Sequence, residues 1–185
     1  MKIFKSTLVT LGLFALTALT SITANASFLI EPHLGYAISG NSAAISSDAK
    51  YSGAQYGARF GIQNFGLMAG VDYTHSSLTF KQGLSTSDHS KEDLGLFVGY
   101  SAPLFLRAWL GYYFSSKQTP SGSSTYYKGH TTEVGVGFSA IPLLSLNLVY
   151  RMVAFDEYYN GSSTSAMKYE PKEIVLGVSL PFTLL

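Results

Sequence analysis

The sequence predicts an all-β fold, an eight-stranded antiparallel up-and-down transmembrane β-barrel. Three observations predict it. Apolar residues alternate with small or polar ones at period two in segment after segment. Charged residues make up only 12% of the chain, against about 25% in an average globular protein. Beyond the N-terminal segment no apolar run reaches the roughly 18 residues of a spanning helix.

Residues 1–26 read as a cleavable secretory signal peptide. Lys2 and Lys5 give a positive start, an apolar run extends from Leu8 to Leu19, and Ala24-Asn25-Ala26 supplies an A-x-A cleavage site. The run is broken by Thr and Ser and is short for a membrane anchor. Residues 27–185 are then the barrel. Loss of the two lysines turns the net charge of +1 slightly negative. No basic stripe remains to attract nucleic acid. The chain has no cysteine, so disulfides and thiolate metal sites are excluded. No metal or cofactor is expected.

The strands follow in order. Around Phe28–Ile38, an apolar set of Phe28, Ile30, Leu34, Tyr36 and Ile38 opposes Glu31, His33, Gly35 and Ala37. Over Gly53–Ile62, Tyr56, Phe60 and Ile62 oppose Gln55, Gly57, Arg59 and Gly61. Over Gly66–His75, Leu67, Val71 and Tyr73 oppose Met68, Gly70, Asp72 and Thr74. Leu94, Leu96, Val98 and Tyr100 oppose Asp93, Gly95, Phe97 and Gly99. Over Leu104–Phe114, Leu104, Leu106, Leu110, Tyr112 and Phe114 oppose Arg107, Trp109, Gly111 and Tyr113. Then Thr132, Val134, Val136 and Phe138 oppose Glu133, Gly135 and Gly137. Leu144, Leu146, Leu148, Tyr150 and Met152 oppose Asn147, Val149 and Arg151. Finally Ile174, Leu176, Val178, Leu180 and Phe182 oppose Glu173, Val175, Gly177 and Pro181. Each run is close to the ~9–11 residues that carry a tilted strand across a bilayer.

The connections alternate in length. Short ones fall near Gln63–Phe65, Ser101–Pro103 and Ala140–Pro142. Long polar ones fall at Ser39–Lys50, Ser76–Ser90, Ser115–Lys128 and Asp156–Lys168. Short periplasmic turns and longer extracellular loops are the plan of an outer-membrane barrel. With both termini in the periplasm, the long connections become four extracellular loops.

The chemistry of the two faces decides which one meets lipid. The apolar face of these segments carries no Asp, Glu, Lys or Arg. The other face holds Glu31, Arg59, Asp72, Asp93, Arg107, Glu133, Arg151 and Glu173 among many glycines. So few charges would not solvate a barrel exterior, whereas a narrow lumen lets Arg and carboxylate pair. These eight residues are the expected lumen network. Trp109, Tyr113 and Phe97 are placed to cover lumen glycines. Aromatics on the apolar face sort to its two ends, with Phe28, Phe60, Tyr100, Phe138 and Phe182 at one end. Tyr36, Tyr73, Tyr112 and Tyr150 lie at the other, as two interfacial girdles.

On these features the chain resembles the small bacterial outer-membrane β-barrels of the OmpA and OmpX type. The likeness lies in Gly35-Tyr36 of the first strand, Gly57-Ala58-Arg59-Phe60-Gly61 of the second, the loop alternation and the C-terminal strand. Gly177, Leu180 and Phe182 match that family's assembly signal, but Val175 stands at its polar position and Thr183-Leu184-Leu185 extend past the aromatic. The resemblance implies insertion by the barrel-assembly machinery into a Gram-negative outer membrane, in contact with its lipid and lipopolysaccharide.

Function is less sharply written. Tyr126-Tyr127 and Tyr158-Tyr159 sit among Ser, Gly and Asn in the long connections, a composition suited to binding extracellular protein or glycan. The expectation is a non-enzymatic barrel with a structural or adhesion-like role. The alternative is passage of small or hydrophobic solutes. A remoter one, lipid A modification of the kind some resembling barrels perform, would need His75 to act with Ser77. No oriented acid accompanies that pair, and no catalytic residue is assigned. Pro32, Pro171 and Pro181 fall in the first and last strands, where prolines that cannot donate predict a weak or bulged seam.

Overall fold

A computed structural model of the protein describes residues 26–42, 49–82, 84–103, 105–141 and 143–184. The predicted signal peptide, up to Asn25, and Leu104 lie outside the described residues. The strands are β1 (Ser27–Ser42), β2 (Ala49–Asn64), β3 (Leu67–Gln82), β4 (Ser85–Ser101), β5 (Leu106–Pro120), β6 (Tyr126–Ile141) and β7 (Leu144–Tyr159). Then come β8 (Thr164–Tyr169), β9 (Lys172–Ser179) and β10 (Phe182–Leu184), three pieces of one eighth limb.

Strands β1 to β7 pair antiparallel in sequence order, and β9 pairs both β7 and β1, which closes the ring. Along β9 the sheet has no open edge, the condition for sheet structure in lipid, whereas β8 pairs only β7 and β10 only β1. The eighth limb breaks at Glu170-Pro171 and at Leu180-Pro181. Both prolines therefore stand at interruptions of the seam, as expected of residues with no N–H to donate. The carbonyls of Pro171 and of Pro32 in β1 still accept. Val153 N–H donates to Pro171 O at 2.9 Å, and Leu180 N–H to Pro32 O at 3.0 Å. A β-bulge in β1 between Ala37 and Gly40 adds to the irregularity of this seam.

The long connections are a correction to the sequence reading. Most of Ser76–Ser90 is strand, with β3 and β4 in register as far as Gln82↔Ser85. Ser115–Lys128 and Asp156–Lys168 are likewise mostly strand, leaving tight ends at residues 121–125 and 160–163. Between Ser39 and Lys50 the strands β1 and β2 still pair at Ser42↔Ala49. With 15–17 residues each, strands β1–β7 exceed a bilayer crossing by about five residues. The extra length forms a paired wall beyond the hydrocarbon instead of free loops.

The two faces separate as the alternation requires. The outer wall carries Leu34, Leu67, Leu96, Leu106, Leu110, Val136, Leu148 and Leu176, all exposed. Buried within the ring are Arg, Lys, Asp and Glu side chains together with Tyr113 and Trp109. That is the inverse of a water-soluble barrel, and it suits an exterior facing hydrocarbon. Apolar layers flank the charged middle: Leu29, Met68 and Phe97 toward the termini, and Val153, Phe155 and Tyr169 toward the far end.

The three short turns share an unusual device. Phe65, Phe105 and Leu143 adopt positive φ of 48°, 63° and 74°. All three are exposed. Only at Phe65 does a glycine follow in the same region, Gly66 at 83°. Positive φ at both central positions is the geometry of a tight hairpin turn whose twist matches its strands.

Candidate functional site: a cross-linked lumen

The alternation turns one face of every strand inward, so side chains from all limbs meet on the barrel axis. All eight charged residues expected in the lumen are buried there. They form one connected network. Arg107 of β5 makes a bidentate pair with Glu31 of β1, through Nη1 at 2.8 Å and Nη2 at 2.6 Å. Arg59 of β2 donates from Nε to Asp72 at 2.7 Å and from Nη2 to Glu133 at 3.0 Å. Arg151 of β7 donates from Nε to Glu133 at 2.7 Å, and from Nη1 to Gln55 at 3.1 Å and to Asp93 at 3.4 Å.

Glu133 is the hub. Besides the two guanidiniums it accepts from Trp109 Nε1 at 2.6 Å and from Tyr113 OH at 2.9 Å. A carboxylate in low dielectric needs such partners, because burying it bare costs far more than any single bond returns. The aromatics also stack on the cations. Arg59 lies 4.3 Å from the Trp109 ring centroid, and Arg151 lies 5.3 Å from that of Tyr113. Trp109 in turn rests on Gly135, where any Cβ would clash with the indole ring. Gly57 likewise makes room for His33, whose Nε2 lies 3.2 Å from Asp72.

Sequence reasoning missed Lys91. Its side chain is fully buried and donates to Glu173 at 2.6 Å, with Asp93 at 3.4 Å. Glu173 also accepts from Tyr51 at 3.2 Å. Lys91 shares parity with Asp93, Gly95 and Phe97, so continuing the alternation two residues upstream would have found it. It lay instead beside a segment read as loop. The lumen thus holds Arg59, Lys91, Arg107 and Arg151 against Glu31, Asp72, Asp93, Glu133 and Glu173, with His33 beside Asp72.

The nine aromatics expected to form girdles all lie exposed on the outer wall. Phe28, Phe60, Tyr100, Phe138 and Phe182 lie toward the termini, with Ile30 opposite both Phe60 and Phe182 and Leu106 opposite Phe138. Tyr36, Tyr73, Tyr112 and Tyr150 lie farther along their strands, opposite Ala54, Leu94, Leu96 and Val134. His75 faces outward beside Tyr56, its Nδ1 3.9 Å from Glu92. Among the described residues no group of three or more His, Asp or Glu side chains is arranged to hold a metal.

At the far end the β6–β7 hairpin is aromatic on both faces. Tyr126 and Tyr159 stack at 4.9 Å, with Lys117 Nζ 4.6 Å over the Tyr126 ring. On the other face Tyr127 contacts Tyr158, Phe155 and Tyr169 at 5.2–6.0 Å.

No family model and no curated protein matches the chain. Solved structures do. Neisserial surface protein A superposes with a TM-score of 0.57 at 18% identity, covering 85% of this chain and 99% of that one. The chain has the fold of the small outer-membrane β-barrels. Ail, the attachment invasion locus protein of Yersinia pestis, gives a TM-score of 0.50 at 12% identity over 83% of this chain and 98% of its own. OprG of Pseudomonas aeruginosa gives 0.46 at 14% identity over 85% and 96%.

Proposed function

We propose that this chain is a non-enzymatic barrel of the Gram-negative outer membrane, closed along its axis, that acts through its extracellular rim. Residues 1–26 serve export and are removed, and both ends of the mature chain lie in the periplasm. The barrel-assembly machinery inserts it, and the two aromatic belts hold it at the level of the lipid headgroups.

The observation that carries this reading is the filled cross-section. Arg59, Arg107 and Arg151 are each at most 4% exposed and are tied to carboxylates on strands across the lumen, Glu133, Glu31 and Asp93 respectively. An axial path would have to separate those pairs in a low dielectric, at several kcal/mol for each. The chemistry available to a partner is then the rim, where Tyr126, Tyr159 and Lys117 offer a stacked, cationic platform of the kind that binds glycan or protein.

Planar-bilayer recording and cell binding test the two halves. The purified barrel gives no reproducible conductance steps, and steady channels overturn the closed lumen. Cells displaying the chain bind immobilised glycan or protein surfaces, and Tyr126→Ala with Tyr159→Ala lowers that binding several-fold. Binding unchanged by those substitutions overturns the rim assignment.

A further inference from the structure

The register brings three lysines into one row on the outer wall. Lys172 of β9 stands opposite Asn41 of β1, Asn41 opposite Lys50 of β2, and Lys50 opposite Lys81 of β3. Lys50, Lys81 and Lys172 are all exposed. They share parity with the outward Tyr56, Tyr73 and Ile174, so all three project from the outer face.

Like charges directly opposed across a ladder are destabilising. Elsewhere at this end of the barrel the chain compensates for them. Lys117 and Lys128 also stand opposite one another, but Glu92 flanks Lys117 and Glu157 flanks Lys128 in the same row. The row of Lys50, Lys81 and Lys172 has no such flank. On its far sides are Thr86 and Met152. Among the described residues, Asp88 and Glu170 lie two positions away along β4 and before β9. Asp88 accepts from Thr79 Oγ1 at 2.8 Å, and Glu170 is held by Lys168 at 3.3 Å.

The row also borders a recess. The bulge at Ala37–Gly40 leaves both Ile38 and Ser39 exposed. They border a notch of about 170 Å³ with Gly40, Ser52, Thr79 and the two lysines Lys50 and Lys81. The hydroxyls of Ser39 and Ser52 are donors as well as acceptors, Ser52 accepting from Tyr36 at 3.4 Å, whereas that of Thr79 is committed to Asp88; the cations are strongly hydrated ammonium groups suited to compact anions. The height suits a headgroup. Lys50 is four residues beyond Ala54, the partner of Tyr36. At ~3.3 Å per residue and ~45° tilt that is about 9 Å above the outer aromatic belt. Lysine chains of that length reach back toward it.

We propose that Lys50, Lys81 and Lys172 form a binding row for the phosphate groups of an outer-leaflet glycolipid, with the hydroxyls of Ser39 and Ser52 in the adjoining notch as its hydrogen-bonding recess. The inference rests on the outer-membrane orientation proposed above. It is independent of whether the lumen conducts.

The test is titration of the full mature barrel, folded in detergent, with diphosphoryl lipid A, with lipid A stripped of phosphate, and with inorganic phosphate, read by native mass spectrometry. Heat-modifiable gel migration confirms folding of each variant. Diphosphoryl lipid A binds at least tenfold more tightly than the stripped lipid, and K50Q/K81Q/K172Q removes that preference. K128Q, which removes an exposed lysine outside the row and outside the tyrosine platform, keeps it. Equal binding of the two lipids, or a preference that survives the triple substitution, overturns the proposal. So does an equal loss in K128Q, which marks a general effect of positive charge. Inorganic phosphate that competes at the lipid's own concentration overturns the lipid assignment in favour of a free-anion site. Conductance in bilayers, measured separately, bears only on the closed-lumen reading.

Discussion

Arg59 and Glu133 meet at 3.0 Å from strands β2 and β6, which lie on opposite sides of the ring. The same relation recurs around the barrel. Arg107 of β5 pairs with Glu31 of β1, Lys91 of β4 with Glu173 of β9, and Arg151 of β7 with Thr74 of β3. Every limb is thus tied to the one facing it. Ladder bonds join neighbours only, so these straps add what the sheet lacks, resistance to flattening of the cross-section. They also explain why the network is held by long Arg and Lys chains, which reach the axis and beyond it.

Truncating the hub gives the first prediction. Glu133→Ala leaves Arg59 and Arg151 facing each other with one carboxylate fewer, and it orphans Trp109 Nε1. Breaking a buried pair from one side costs about 3–5 kcal/mol. The loss is read from urea unfolding in liposomes. A change below about 1 kcal/mol would show that water replaces the carboxylate and that the lumen is wet.

Replacing both partners of a strap should be milder than removing one. Glu31→Leu or Arg107→Met alone strands a buried charge, whereas the double variant leaves an apolar layer beside Leu29, Met68 and Phe97. Such swaps are often near neutral in stability. The unfolding free energy of the double variant is therefore expected above that of either single variant. Strictly additive losses would mean that the two side chains do not act as a pair.

The legible part of this architecture is the part that physics makes periodic. Hydrocarbon on one side and a narrow lumen on the other force alternation, so the inward and outward assignments from Phe28 to Phe182 follow from parity. Where a strand leaves the bilayer that pressure ends. Ser85–Glu92 and Ser115–Pro120 keep their ladders with no apolar face, and a reader of hydropathy sees loops. Lys91 was lost at that boundary. Cross-lumen partners are illegible for a different reason: which Arg meets which carboxylate depends on barrel stagger, which the residue pattern does not encode. The positive φ of Phe65 was equally hidden, because that position ordinarily favours Asn or Gly.

Gly135 offers a test with a built-in probe. A methyl group there would overlap the Trp109 indole, and Trp109 is the single tryptophan of the chain. Gly135→Ala must push the ring off Glu133 or distort β6. Overpacking of this kind costs about 1–3 kcal/mol. The tryptophan emission maximum is expected to shift together with the drop in stability. An unchanged spectrum and unchanged unfolding midpoint would mean the indole has a second, equally good seat.

The turn at Phe65 predicts a gain. A β-carbon in the left-handed region costs roughly 1–2 kcal/mol, less for Asn. Phe65 is 88% exposed, so little packing is lost with its ring. Phe65→Asn is expected to raise stability by about 1 kcal/mol in detergent. Gly66→Ala should do the opposite, since Gly66 has φ of 83° and its added Cβ would sit 2.5 Å from Ser101 O. If Phe65→Asn instead destabilises the barrel only in bilayers, the ring is serving as an interfacial anchor.

His89 gives a pH dependence with a definite sign. It lies beyond the row of Tyr36, Tyr73, Tyr112 and Tyr150 on the side away from the termini, half-buried, with its ring 4.4 Å from that of Phe80 and its Nδ1 3.1 Å from Gln118. Burial holds its pKa below the ordinary histidine value, with Asp88 pulling weakly the other way. The folded barrel therefore favours the neutral imidazole. Above about pH 6.5 the ring is neutral in both states and stability is intact. As pH falls toward the folded value the unfolded chain takes up the proton first, and stability declines. His89→Gln removes that term, so its unfolding midpoint should fall less than that of the parent between pH 8 and pH 5. Parallel declines in the two proteins would show that other groups set the acid sensitivity and that His89 is freely solvated.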